Sequence, residues 1–390
     1  MNFDTPTDRH GTNSVKWDQM ENYYGISADD GLPMWVADMD FPAPECVTDK
    51  LRDIAEQGIY AYVNNNDEYL GAIQWWMKER HNWEIEKSWI FTTTGIVNAV
   101  GMCLDVFTKP DDGIVVFTPV YHAFAKVIRN AGRTVVECPL VAEDGRYRMD
   151  FDAYDAAMTG SETMLILCSP HNPGGCVWTR EELQGVADFA KRHDLTLVSD
   201  EIHHDLVFPG NTHIAMANVD PSVSDRLVML TAPSKTFNVA GLHTGNVIIG
   251  DPDLRARFAA RMLALNLSTN STGTFAAAAA YSPAGAAWLD DLMVYLDGNR
   301  KILDATIAEI PGVTSMHLEA TFLSWIDFSG TGMEVSEFTR RVQKDARIAV
   351  NLGDTFGTGG ENFLRFNIGT QRANVIEACT RLRAAFADLQ

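Results

Sequence analysis

The chain has 390 residues, 46% hydrophobic and 21% charged, enough for two or three domains and too apolar for a disordered chain. Its 52 acidic against 31 basic side chains give a net charge of −21, which repels phosphate backbones and anionic lipid and argues against a nucleic-acid platform. The N-terminus lacks the basic-then-apolar run of a signal peptide, no window of about 18 apolar residues occurs, and six scattered cysteines without a C-x-x-C pair predict reduced thiols in a cytoplasm.

Residues 1–45 carry turn formers and no strand of the series that follows. Short runs rich in Val, Ile, Leu and Met predict strands at 90–92, 114–117, 164–168, 196–199, 227–230 and 247–249, as expected of strands covered on both faces. Between them lie stretches suited to crossover helices. The clearest is 179–193, where Thr179 and Glu182 form a capping box and Leu183, Val186, Ala187 and Ala190 make one apolar face. Residues 276–280 read as helix. A long helical stretch at 288–310 leads through Pro311-Gly312 to strands at 321–327 and 363–368, with a helix at 335–345 between them. The fold class is therefore α/β, a mostly parallel sheet with helices on both faces, plus a smaller α+β domain. The expected division is a large domain of residues 48–285 and a small one of 1–47 and 286–390.

Ligands of such sheets bind beyond the carboxyl ends of the strands, and the polar residues there form a set. A turn, Thr93-Thr94-Gly95-Ile96-Val97-Asn98, opens a helix whose backbone N–H groups suit a phosphate. Tyr121, Asn172, Asp200 and Lys235 follow four other strands. A pyridoxal phosphate cofactor asks for these groups: a lysine for a Schiff base, a carboxylate to keep the pyridine nitrogen protonated, an anion site and a stacking face. Asn172 can donate to the ring oxygen.

Each residue also has a plainer reading. Lys235 alone is a surface lysine more often than a catalytic one, and Tyr121 suits a core. Asp200-Glu201 with His203 and His204 could be read as a metal cluster, but adjacent helix residues do not share a face and no H-E-x-x-H or C-x-x-C occurs, so no metal is expected. Arg365 suits either a buried ion pair or a carboxylate ligand. Without G-x-G-x-x-G or G-x-x-x-x-G-K-[ST], nucleotide binding has no support.

The motifs Trp35-Val36-Ala37-Asp38-Met39-Asp40-Phe41-Pro42, Ser169-Pro170-His171-Asn172-Pro173-Gly174-Gly175, Ser199-Asp200-Glu201-Ile202-His203 and Ala232-Pro233-Ser234-Lys235-Thr236-Phe237-Asn238-Val239-Ala240-Gly241-Leu242 resemble those of the fold-type-I pyridoxal phosphate enzymes, the aspartate aminotransferase superfamily. Within it, the chain is most similar to the MalY/PatB class of cystathionine β-lyases. The resemblance implies cofactor contacts from Gly95, Ile96, Val97, Tyr121, Asn172, Asp200, His203, Ser234 and Lys235, with Tyr62 reaching the phosphate of a neighbouring subunit in a homodimer. It implies substrate contacts from Ala37, Asn172 and Arg365, and catalysis by Lys235 and Tyr121. The implied activity is α,β-elimination from cystathionine or a related cysteine S-conjugate, in methionine biosynthesis. An aminotransferase is the rival, using the same Lys235 and Asp200. A non-catalytic protein on the same fold is the third reading. The chain departs from the family at His243, where many aminotransferases carry an arginine, at Asn64-Asn65-Asn66, and at Glu319-Ala320-Thr321-Phe322, where a glycine turn is expected.

Overall fold

The computed structural model describes residues 2–63 and 66–389, so Asn64 and Asn65 lie outside the described residues. Seven strands form the central sheet, in the order Ile90–Thr93, Gly245–Ile248, Leu227–Thr231, Thr196–Asp200, Glu162–Cys168, Gly113–Thr118 and Thr134–Pro139. All neighbours run parallel except Gly245–Ile248, which is antiparallel to both of its partners.

The apolar runs are continuous because both faces of the sheet are covered. Along the inner strands, alternate residues enter two different cores. Ile114, Val116, Met164, Ile166, Val198 and Val228 face one. Val115, Phe117, Leu165, Leu167, Leu197 and Met229 face the other. The seventh strand, Thr134–Pro139, escapes the sequence reading because it is an edge: most of it is half-buried or exposed, and Glu137 and Pro139 break the apolar run.

The helix Arg180–Arg192 begins at the N-cap Thr179, and both hydrogen bonds of the capping box with Glu182 are present. Ser271–Ala280 is helical around the alanine run. The long helix is Pro283–Ile307 rather than 288–310. Ser282 caps it through Gly285 N–H and Pro283 occupies the first turn, where a missing N–H costs nothing. The stretch 335–345 is a helix only over Val335–Arg340 and continues as a wider π turn, Arg341–Asp345.

A second, antiparallel sheet has the order Thr314–Ser315, Leu323–Asp327, Phe363–Asn367 and Asn351–Leu352. Its strand Leu323–Asp327 starts two residues later than expected, because Thr321 adopts a left-handed φ of 72° at the place where glycine was expected. That conformation costs a β-branched residue about 1–2 kcal/mol. Thr321 offsets the cost with its N–H donated to Leu206 O at 2.7 Å and its hydroxyl accepting Leu323 N–H at 3.0 Å. From the N-terminal segment, Leu32–Pro33 pairs in parallel with Ile348–Ala349. No helix of the described residues is long and apolar enough to cross a membrane.

Candidate active site

The carboxyl ends of the strands open onto a cavity of about 330 Å³. Strand Leu227–Thr231 runs through Ala232 into a single turn, Pro233–Thr236, which carries Ser234 and Lys235 to its wall. Asp200 is the last residue of its own strand, not the first beyond it, so the sheet itself fixes its backbone. Tyr121 follows strand Gly113–Thr118, and Asn172 follows Glu162–Cys168. Gly95 has φ 130° and ψ 168°, open only to glycine, and precedes the helix Ile96–Phe107, which has no side-chain cap. The free N–H groups of that first turn therefore face the cavity beside Ile96 and Val97.

Of the residues singled out from the sequence, Ala37, Gly95, Ile96, Val97, Tyr121, Asn172, Asp200, His203, Ser234 and Lys235 line this one cavity. Arg365 stands behind Asn172, donating to its Oδ1 at 3.0 Å, to Trp35 O at 3.0 Å and to Asn351 Oδ1 at 2.7 Å, with the guanidinium 4.9 Å from the Phe356 ring centroid. Among the described residues no carboxylate side chain pairs with it, so the buried ion-pair reading is replaced by a guanidinium held by amides and a carbonyl. Tyr62 is not part of the cavity; it is fully exposed. His243 lines the cavity from an exposed position in the left-handed region, where it stands in place of an arginine. Thr94 and Ile202, inside motifs read from the sequence, also line it, as do Cys168 and Thr244, which no such motif contained.

Burial sets the electrostatics. Lys235 Nζ donates to Ala37 O at 2.7 Å, and burial brings its amine down to about 8, against the opposing pull of Asp38 and Asp200. Burial likewise pushes the Asp200 carboxyl up to about 7, despite the Ile202 N–H that its Oδ1 accepts at 3.1 Å. His203 is buried beside Lys235 and Arg365; burial first and those two charges next hold it neutral, and its Nδ1 has no partner. A buried ring nitrogen without a partner, a carboxylate whose ionisation awaits a cation, a low-pKa amine and an uncapped helix start are the fittings of a phosphorylated pyridine aldehyde.

Behind this floor lies a buried carboxylate–imidazole cluster. Asp205 accepts from Trp76 Nε1 at 2.9 Å, His81 Nε2 at 2.8 Å and Thr236 Oγ1 at 2.7 Å, and lies 3.3 Å from His204 Nε2. Glu201 accepts from His213 Nε2 at 2.8 Å, Ser199 Oγ at 2.9 Å and Met216 N–H at 2.9 Å. So the neighbours of Asp200 and Lys235, namely Glu201 and Thr236, are anchored in one network. Asp200, Glu201, His203 and His204 do not converge on one point. His204 instead stacks on His81 at 4.0 Å, and with His213 these offer nitrogens within 4.8 Å of one another, facing the two carboxylates.

These burials predict an acid-sensitive fold. Burial lowers His171 to about 3 and His81 to about 4, while the unfolded chain protonates both near about 6.5. Below that value the unfolded state takes up protons that the folded state refuses, so stability falls with pH. Asp205 and Glu201 add to the loss further down: burial opposes their charge, but their histidine partners and hydrogen bonds outweigh it and hold them low. Asp200, raised, and His204, raised by Asp205 and Glu201 against burial, work the other way. Calorimetry of cofactor-free protein is expected to show Tm falling between about pH 7 and about pH 5; a constant Tm would mean that His171 and His81 protonate in place.

The model of the aminotransferase class I and II family matches residues 30–382. The chain belongs to that family. Its cofactor is pyridoxal 5′-phosphate, and its fold class is the aspartate-aminotransferase-like one expected from the motifs. The chain is 38% identical to cystathionine beta-lyase PatB of Bacillus subtilis over 390 residues, covering 99% of this chain and 100% of that one. Among solved structures of the family, pyridoxal phosphate-containing cystalysin from Treponema denticola superposes with a TM-score of 0.94 at 35% identity, covering 100% and 99% of the two chains. The pyridoxal phosphate-bound C-S lyase from Staphylococcus hominis gives 0.92 at 29% identity, covering 99% and 98%.

Proposed function

We propose that this protein is a carbon–sulfur lyase that cleaves cystathionine or a related cysteine S-conjugate by α,β-elimination, giving a thiol, pyruvate and ammonia. The observation that carries the reading is the Lys235 amine, buried in the same cavity as Asp200 and Asn172 and low enough in pKa, about 8, to accept a proton near neutral pH. Bound pyridoxal phosphate supplies an electron sink for the charge left when the Cα proton departs. The chain's own residues do the rest. Arg365, fixed by Asn172 and Asn351, holds the substrate carboxylate and so orients the Cα–H bond. Lys235 takes the Cα proton. Asp200, ionised once it faces a cationic ring nitrogen, holds that nitrogen's proton. Ser234 and the N–H groups of Gly95, Ile96 and Val97 would hold the phosphate, Asn172 would donate to the ring oxygen, and His203 would be a further cofactor contact. The Cβ–S electron pair leaves with the thiol, which is protonated by Lys235 or Tyr121, and the three-carbon product hydrolyses to pyruvate and ammonia.

Full-length similarity to PatB and to C-S lyases supports this reading over the aminotransferase. Homocysteine as the released thiol supports a place in methionine biosynthesis. A homodimer is part of the reading. The exposed Tyr62, beside exposed Ile59 and Tyr60, is free to reach a second subunit's phosphate site. So is a cytoplasmic location, suggested by six unpaired cysteines. The large domain is read as residues 48–285, with 1–47 and 286–390 forming the small one; pairing of Leu32–Pro33 with Ile348–Ala349 supports joining both ends.

Incubation with cystathionine alone is expected to release pyruvate and free thiol in equal amounts. Product formation that waits for an added keto acid would reverse the choice in favour of the aminotransferase.

A further inference from the structure

Residues 34–39 form a strap in which six successive backbone carbonyls are all taken up. Met34 O accepts from Asn367 N–H at 2.9 Å, Trp35 O from Arg365 Nη2 at 3.0 Å, and Val36 O from Asn367 Nδ2 at 2.5 Å. Ala37 O accepts from Lys235 Nζ at 2.7 Å, Asp38 O from Asn367 Nδ2 at 2.7 Å and Lys16 Nζ at 3.2 Å, and Met39 O from Asn238 Nδ2 at 2.8 Å. Asn238 lies three residues after Lys235, and Asn367 two after Arg365. The strap therefore joins the lysine turn to the arginine strand.

Two cations from the N-terminal segment hold it from outside the cavity. Arg9 grips Asp38 in a two-pronged pair, with both N···O distances 2.9 Å, and touches Asp40 at 2.8 Å. Lys16, fully buried, pairs with Asp40 at 2.8 Å, and Trp17 Nε1 donates to the same carboxylate at 2.9 Å. Asp40 is thus shared among three donors, whereas the Asp38 carboxylate, hydrogen-bonded by Arg9 among the described residues and 3.7 Å from Lys16 Nζ, sits one residue from the carbonyl that holds Lys235.

We propose that Asp38 is a positioning residue of the reaction, and that the Arg9–Asp38 pair both fixes the strap and sets the charge felt at Lys235. This rests on Lys235 being the cofactor-binding base. Its amine also feels Asp200 and His203 from the end of strand Thr196–Asp200 and the turn after it, and Arg365 from strand Phe363–Asn367, and it shares the cavity with Tyr121 and His243. Among the charges that raise the amine's pKa, Asp38 acts more strongly than Asp200. Arg9 does not line the cavity and its side chain is 21% exposed, so it can be changed without touching the pocket.

The test is a pH titration of the bound cofactor's visible band in the holoenzyme, with Tm measured in parallel. Asp38→Asn removes an anion near Lys235 and is expected to lower the midpoint by on the order of 0.5–1 pH unit; Arg9→Gln unmasks that anion in part, Lys16 staying 3.7 Å from it, and should raise the midpoint by a smaller amount. Arg9→Lys should leave it near the wild-type value. A purely structural strap would lower Tm while both midpoints stayed in place or moved together, and that result would overturn the proposal. Should Asp38→Asn not fold, Arg9→Gln decides alone: a midpoint unmoved or lowered counts against. The titration needs no substrate, so it is read whichever way the thiol assay falls. A wild type without any visible band would instead remove the cofactor reading on which this one stands.

Discussion

Lys235→Ala is expected to reduce kcat for thiol release by about 10³-fold or more, because in the proposed reaction one side chain carries both the covalent tie to the cofactor and the proton transfer at Cα. The loss should be chemical rather than structural. Alanine at 235 leaves Ala37 O without its donor, one hydrogen bond worth about 1 kcal/mol. It also removes a buried amine whose charged form burial already disfavours, so Tm should change little. The cofactor should still bind, through the helix start at Gly95, Ser234 and Asp200, but without the visible band of its lysine linkage and released more readily by dialysis. Small primary amines in solution should restore part of the rate, since a free amine can take the vacated place as base. An undiminished rate in Lys235→Ala, with the band intact, would place the chemistry on another residue.

Much of this site was legible because the sheet is buried on both sides. A strand inside two cores is mostly apolar, so a polar residue at its end or just beyond stands out; Asp200, Asn172 and Lys235 were visible for that reason. The capping box at Thr179 was legible because both of its partners lie within one turn. Where the physics is nonlocal, the reading stopped. Arg9 is 29 residues from Asp38, and His81 is 124 from Asp205; no local pattern announces either pair. The edge strand Thr134–Pro139 carries mixed polarity because only part of it is covered. The separation of His203 from His204 was not legible either: the chain turns after Asp200 and sends His203 to the cavity and His204 to the cluster behind it. Asp38 and Asp40, named from the sequence only as part of a motif, are ion-pair partners of Arg9 and Lys16.

Arg365→Ala is expected to weaken binding of an unreactive amino acid by about 10²-fold, close to 3 kcal/mol, as a buried, charge-assisted carboxylate contact disappears. Burial lowers the guanidinium only to about 10, so it is cationic across the working range. Its Nε has no partner, while its two outer nitrogens lean on Asn172, Asn351 and Trp35 O. A free donor on a guanidinium held in place by amides suits an anion, and on the proposed reading it would let a chain of net charge −21 bind a carboxylate through a local, desolvated positive field. Arg365→Lys should recover only part of the affinity, because an ammonium keeps the charge but not the planar fork. The control is the amine analogue lacking the carboxylate, whose affinity should fall less than about threefold in Arg365→Ala, since it never made the contact. Equal losses for the two ligands would mean that Arg365 acts only by supporting Asn172 and the strap. A selective loss for the amino acid would mean that the guanidinium grips the carboxylate, and that Asn172 and Asn351 serve to aim it.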